Sequence, residues 1–281
     1  MAMYSNYIFD WIASINALNI FFLSIRLAAV FVLSPILYSH TLPSIFRVTL
    51  ILTISVVMSL GIDQGKEVSQ PAMGEGFDFI VLAAVREMAL GATFALGIFI
   101  SFATISIAGQ ILDIQIGFGM ARIFDPLTRT QLPILTSAFN QLAVIYFFLL
   151  NGHHVLLRAL ALSLDYFPLG HAWSIEKLAV PVLKQVSGLF SLGFALAAPV
   201  VFTVLLIELV LGVVARNLPQ MNMFVMGVPV KIITGLSALS FGLLAMSGLI
   251  IHIQELIFKT WGDMFSSVEV TSALLTGFRA G

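Results

Sequence analysis

Arg26, Arg86, Glu87, Glu208 and Lys231 stand in or beside stretches that are otherwise apolar. An ionised group at the centre of a membrane helix costs about 2.5–3.5 kcal/mol on insertion scales, so it faces protein or water and marks a candidate site. Two uses are open to such groups. They can line a polar path, or they can pair across helices, fix packing or snorkel to an interface. The second use is the commoner for charges within a few turns of a segment end. Arg86 and Glu87 are adjacent and point about 100° apart on a helix, so they are not expected to pair with each other. Glu208 and Arg216 are eight residues apart and fall on nearly the same helix face.

A second constellation lies at 109–126, G-Q-I-L-D-I-Q-I-G-F-G-M-A-R-I-F-D-P. Gly117 and Gly119 flank Phe118, and Met120 follows. Glycine permits bends that other residues resist, and methionine is an adaptable apolar filler. The run reads either as a flexible apolar obstruction in a conduit or as an ordinary turn whose side chains pack inward. Enzyme signatures fail nearby. G-F-G-M has Met120 where an intramembrane aspartyl protease needs Asp. A-M-S-G at 245–248 has Ala for the first Gly of a rhomboid-like serine site, and His252 diverges from Ser247 on the same helix. His153 and His154 lack a glutamate at zinc-protease spacing, and as neighbours on a helix they are expected to diverge. Neither catalysis, a metal nor a cofactor is implied.

The elements that position these groups are apolar helices. The chain has 281 residues, 59% hydrophobic and only 10% charged, against about 25% charged in a soluble domain. Its mean hydropathy is +1.05. So few charges cannot cover a water-facing surface, so the chain is an integral membrane protein or the apolar interior of a large assembly. The net charge of −1 offers no basic patch for nucleic acid, and the absence of cysteine excludes disulfides and thiolate sites. Apolar segments run over 18–37, 48–62, 79–111, 132–157, 186–214 and 232–257. A span needs about 20 residues, so the second is short, at about 22 Å, and the third is too long for one straight crossing. The last 20 residues turn polar and are expected to fray. Lys and Arg divide almost evenly between the two sides, which leaves orientation weakly marked.

Small residues recur at four-residue spacing in Gly91/Ala95, Ser191/Ala195, Gly193/Ala197 and Ala238/Gly242, a pattern that lets helix backbones approach closely. The clearest break is 215–235, A-R-N-L-P-Q-M-N-M-F-V-M-G-V-P-V-K-I-I-T-G, a polar interruption bracketed by Pro219 and Pro229. The whole reads as an all-α polytopic membrane protein of long, kinked helical hairpins. A secondary transporter for a small solute is the alternative, but no internal repeat with matching interrupted helices supports it.

R-N-L-P-Q-M-N-M-F-V-M-G-V-P-V-K-I at 216–232 resembles the loop-and-helix signature of the flagellar biosynthetic protein FliR family, whose relatives are the T-type export subunits of virulence injectisomes. Three further stretches agree in order: P-I-L-Y-S-H-T-L-P-S-I-F-R at 35–47, I-G-F-G-M-A-R-I-F-D-P at 116–126, and N-G-H-H-V-L-L-R-A-L at 151–160. The resemblance implies a structural pore subunit and no enzyme. It implies assembly with about five FliP-type and about four FliQ-type subunits into a closed export gate, joined by an FlhB-type subunit. The gate would pass unfolded proteins across the bacterial inner membrane and stand partly in the basal body on the periplasmic side. Residues 1–185 would be FliP-like and 186–257 a FliQ-like hairpin, with 258–281 as a tail. Ile116, Gly117, Phe118, Gly119, Met120 and Ala121 would form the plug. Arg216, Pro219, Gln220, Asn222, Phe224, Gly227 and Pro229 would form the entrance loop at the hairpin tip, 216–230. Arg26, Arg86, Glu87, Glu208 and Lys231 would serve assembly. The chain departs from the family at Arg122, where a small or apolar residue is usual.

Overall fold

The computed structural model describes residues 17–35, 43–61, 76–118, 133–171, 173, 175–218 and 223–279, and among them every regular element is a helix. In chain order these are α1 (Ala17–Leu33), α2 (Ser44–Ser59), α3 (Gly76–Ile116), α4 (Ile134–Leu149), α5 (Gly152–Tyr166), α6 (Ile175–Asn217) and α7 (Met223–Arg279). At 1.5 Å per residue α3, α6 and α7 are about 62, 65 and 86 Å long, well beyond the roughly 30 Å of a hydrocarbon core. By length and composition these three are the candidate membrane spans, and α4 with α5 passes only as one bent span. The six apolar segments therefore do not give six simple crossings. Segment 132–157 breaks at Leu150–Asn151, where Asn151 takes φ +55°, a left-handed conformation that asparagine tolerates. α1 and α2 are apolar but short.

The expected fray at the end is also corrected. α7 runs on to Arg279, and Trp261 and Met264 are buried. Ile257, Trp261, Met264 and Phe265 recur at helical spacing, so an apolar stripe continues through a stretch whose overall composition is polar.

The chain forms two compact units, both discontinuous in sequence. The first comprises Met1–Phe99, His153–Leu183 and Phe258–Gly281. Its core joins Phe22 and Leu23 of α1 to Ala83 of α3 and to Leu169, with Met58 of α2 packed against them. A second cluster stacks Phe94 against Trp261 and Phe265, and Tyr166 against Phe265. The Trp261 indole donates to the Phe94 carbonyl at 3.1 Å, which satisfies its buried N–H.

The second unit comprises Ile100–Gly152 and Lys184–Ile257. Here Ser101 of α3 accepts from Gln185 Nε2 of α6 at 2.9 Å and donates to the Ile253 carbonyl of α7 at 2.9 Å. Gln254 Nε2 donates to the Ala143 carbonyl of α4 at 3.1 Å. These buried amide and hydroxyl bonds join four helices where an unpaired polar group would be costly. Two small pairs behave as expected. Gly193 sits 3.0 Å, measured to a notional Cβ, from the Thr104 carbonyl, and Ala197 beside it is buried. Gly91 in the first unit is tighter still. By contrast Ser191 and Ala195 face outward.

Candidate functional site

The buried charges resolve into a clasp inside the first unit. Arg26 Nε donates to Glu87 Oε2 at 2.6 Å, with the two side chains 1% and 2% exposed. Arg26 Nη1 donates to the Ser163 hydroxyl at 2.8 Å and carbonyl at 3.2 Å, and Nη2 to the Phe167 carbonyl at 2.9 Å. The other Glu87 oxygen accepts from the Gly170 amide at 3.0 Å, at a turn where Gly170 takes φ +75°. One guanidinium thus ties α1 to α3, to the end of α5 and to the turn after it. A desolvated charge pair holds only with its remaining donors and acceptors satisfied, and here they are. The local sequence explains the approach. Gly91 lies one turn beyond Glu87, and a Cβ on it would stand 2.3 Å from the Arg26 carbonyl oxygen, so only glycine lets α1 cross there. Arg86 points elsewhere, is half-buried, and makes no ion pair with the described residues. Arg26 and Glu87 thus tie together helices of the first unit.

In the second unit Glu208 pairs with Lys231, not with Arg216 on its own helix. Both side chains are partly exposed. Three contacts set the direction of the two helices. Leu211 meets Gly227, Glu208 meets Lys231 and Val200 meets Gly242, so α6 and α7 run antiparallel as a hairpin. The break between them is narrower than the sequence suggests. α6 runs to Asn217 and α7 starts at Met223, so Gly227 and Pro229 lie inside α7. Pro229 is the seventh residue of α7, past the first turn where proline costs nothing, so the helix forgoes one i→i−4 bond there. Arg216 is exposed in the last turn of α6, where a cation suits the helix dipole. Phe224 lies in the first turn of α7, and Pro219, Gln220 and Asn222 lie outside the described residues.

The 109–126 constellation ends α3. Ile116 is fully buried, and a Cβ on Gly235 of α7 would stand 2.7 Å from its Cγ1, so Ile116 beds directly on the α7 backbone. Gly117 follows with φ +100°, the glycine conformation that stops a helix. Phe118 is half-buried, and Gly119, Met120 and Ala121 lie outside the described residues. Asp113 also matters here, although its spacing in the sequence gives it no partner. Asp113, 4% exposed, accepts from the Leu135 amide at 3.0 Å, the Thr136 amide at 2.9 Å and the Thr136 hydroxyl at 2.7 Å. α4 opens after Pro133, which has no side chain able to cap it. Asp113 reaches across from α3 and takes the second and third amides of α4, the work of an N-cap. The signal was present as an uncapped helix start and a lone acid near the end of an apolar run.

The enzyme-like fragments make no site. Ser247 donates to the Leu244 carbonyl of its own helix at 2.6 Å, and His252 is exposed. The two histidines do not diverge as expected. Their rings lie 4.2 Å apart, because the pair opens α5 directly after the Asn151–Gly152 turn. No cluster of metal-binding residues occurs among the described residues.

The family described as bacterial export proteins, family 1, matches residues 17–259. The chain belongs to this family. It is 29% identical to the flagellar biosynthetic protein FliR of Bacillus subtilis (strain 168) over 250 residues, 88% of this chain and 94% of that protein. It is 27% identical to FliR of Escherichia coli (strain K12) over 254 residues, covering 89% and 94%. It is 26% identical to the surface presentation of antigens protein SpaR of Shigella sonnei over 226 residues, covering 79% and 84%. Membership makes the chain a structural component of the flagellar and type III secretion export apparatus, with no catalysis of its own. The clasp, the hairpin and the end of α3 are therefore features of an export-apparatus subunit.

Proposed function

We propose that the chain is a subunit of a closed protein-export pore in the bacterial inner membrane, built with about five FliP-type and about four FliQ-type subunits and an FlhB-type subunit. Unfolded proteins pass through this pore. One observation carries the reading. Exposed apolar side chains on α6 run from Val180 to Val213, through Leu183, Phe190, Phe194, Phe202 and Leu209. That stripe is about 50 Å long, and fitting it into a 30 Å core needs a tilt of about 53°, against about 20° on average. Lipid alone does not cover it, so protein of similar character must. Only 22% of the most apolar window of α6 is buried within the chain, and 22% of that of α7, against 61% for α3. A hairpin with so little cover of its own fits a place among FliQ-type hairpins, with 186–257 as the FliQ-like part and 1–185 as the FliP-like part.

The narrow break at 218–222, with Arg216 before it and Gly227 and Pro229 after it, serves as the cytoplasmic entrance in this reading, and the Glu208–Lys231 pair holds the hairpin arms together. Ile116–Ala121 forms the plug. An apolar constriction seals by excluding water, and Gly117 supplies a pivot at the foot of the segment. Deleting residues 117–120 tests the plug. In the assembled complex reconstituted in a planar bilayer, the deletion is expected to raise ion conductance. An unchanged conductance at normal complex yield overturns the plug.

A further inference from the structure

We infer that Arg86 is a docking charge: the outer face of α3 over 77–99 receives an apolar helix of a companion subunit, and that helix brings a carboxylate to the Arg86 guanidinium. The inference rests on the reading of the chain as a pore subunit, and adds which face meets a companion and through which charge. α3 is the best covered of the three long helices, yet one stripe of it is bare. Phe77, Val81, Val85, Met88, Leu96 and Phe99 recur at helical spacing and are 40–79% exposed, all within the first unit. Arg86 lies on the flank of this stripe, beside exposed Leu82. It is half-buried, and among the described residues it has no hydrogen-bond or ion-pair partner.

The ordinary partners do not serve. Glu87 is turned to Arg26 and the Gly170 amide. Asp78 is exposed on the same helix, but about 12 Å away along the axis. Lipid fails by depth. The stripe is about 33 Å long, close to the roughly 30 Å of a hydrocarbon core, and Arg86 lies about 3 Å from its middle. Either end of the stripe is about 14 Å or more from Arg86, beyond the reach of a snorkelling arginine to a headgroup phosphate. A cation at the centre of the hydrocarbon is at its most costly. A protein helix meets both requirements. Its apolar side chains cover the stripe on either side of Arg86, and one carboxylate takes the planar fork of N–H donors in the bidentate geometry that makes such pairs strong. Arg86 has already lost part of its water within the chain, so the companion completes a burial that folding begins.

The test co-expresses the chain with FliP-type and FliQ-type subunits and measures the ratio of assembled to free chain. The thermal midpoint of each isolated variant in mild detergent checks its folding. Arg86→Met leaves the companion's carboxylate buried without a counter-charge and should lower the ratio roughly thirtyfold. Arg86→Lys keeps the charge but loses the fork and should lower it roughly threefold, while Arg86→Glu should abolish assembly. All three isolated chains should keep the wild-type midpoint. A photo-reactive benzoylphenylalanine in place of Met88 should capture a companion subunit, at a point within two turns of an Asp or Glu. Reversing that acid to Arg should restore assembly to Arg86→Glu. Wild-type ratios for both Arg86→Met and Arg86→Glu refute the docking charge and leave the pore-subunit reading standing. Capture of lipid, or of a second copy of this chain, overturns the inference too. So does a midpoint of isolated Arg86→Met that falls in step with its assembly, since Arg86 then serves the chain's own fold. If the unaltered chain forms no hetero-oligomer, the pore-subunit reading falls and the inference with it.

Discussion

Removing the Glu87 carboxylate should be the most damaging small change in the first unit. Glu87→Ala leaves the Arg26 guanidinium 1% exposed, still bonded to Ser163 and Phe167 but with no counter-charge, and strips the Gly170 amide of its acceptor. Breaking a buried pair from one side costs about 3–5 kcal/mol, or roughly two to three and a half powers of ten in the folded population. Whole domains are stable by only about 5–15 kcal/mol, so the variant should accumulate poorly and unfold early. Replacing both partners, Arg26→Met with Glu87→Met, removes the unpaired charge and should recover about half of the loss, since apolar replacements of buried pairs are often close to neutral. Recovery is incomplete because the Phe167 carbonyl and the Ser163 hydroxyl lose their Arg26 donor, while the Ser163 carbonyl keeps the Phe167 amide. The assay is the midpoint of thermal unfolding in mild detergent, followed by the fluorescence of buried Trp261, together with membrane yield. A wild-type midpoint for Glu87→Ala, or a double variant worse than the single, would refute the reasoning.

The close glycines should divide by what surrounds them. Gly91→Ala and Gly109→Ala meet backbone atoms at 2.3 and 2.6 Å and should each cost about 1–3 kcal/mol in the same unfolding assay, whereas Gly212→Ala and Gly248→Ala meet nothing within 4 Å and should be neutral or slightly stabilising. Glu208→Ala or Lys231→Ala should lower the yield of assembled complex by less than Glu87→Ala does, because a half-exposed pair is worth about 0–1 kcal/mol, and the swap Glu208→Lys with Lys231→Glu should restore it; equal losses in all three would contradict this. Trp261→Phe, with unfolding followed by circular dichroism because the fluorescent indole is gone, should lower the midpoint by the equivalent of about 1 kcal/mol, through the lost bond to Phe94, and leave conductance unchanged.

Local physics made much of this molecule legible. The apolar runs gave the long helices, Gly91/Ala95 and Gly193/Ala197 marked two crossings, and Arg26, Glu87, Glu208 and Lys231 drew attention because charge is expensive in an apolar setting. Partner choice was not local. Arg26 finds Glu87 across 61 positions and Ser163 across 137, and no spacing rule reaches so far. Glu208 chose Lys231 over Arg216 because the hairpin brings the opposite arm closer than two turns of its own helix. Pro229 suggests a loop by its breaker character, yet it stands, exposed, inside α7. Asp113 is not legible by itself, because its meaning depends on a helix that starts at Ile134 without a side-chain cap of its own. Average polarity points to a frayed tail, while the apolar stripe through Trp261 and Met264 carries the helix onward.

The central claim is that this chain is shaped to be covered by unlike subunits around a pore. It is tested most directly by co-expressing it with FliP-type and FliQ-type subunits, extracting the particle in mild detergent and weighing it by native mass spectrometry. The account predicts one 30.5 kDa chain within a much larger hetero-oligomer that needs both companions to form. A stable monomer or dimer of 30.5 kDa chains, unchanged whether or not the companions are present, would contradict it.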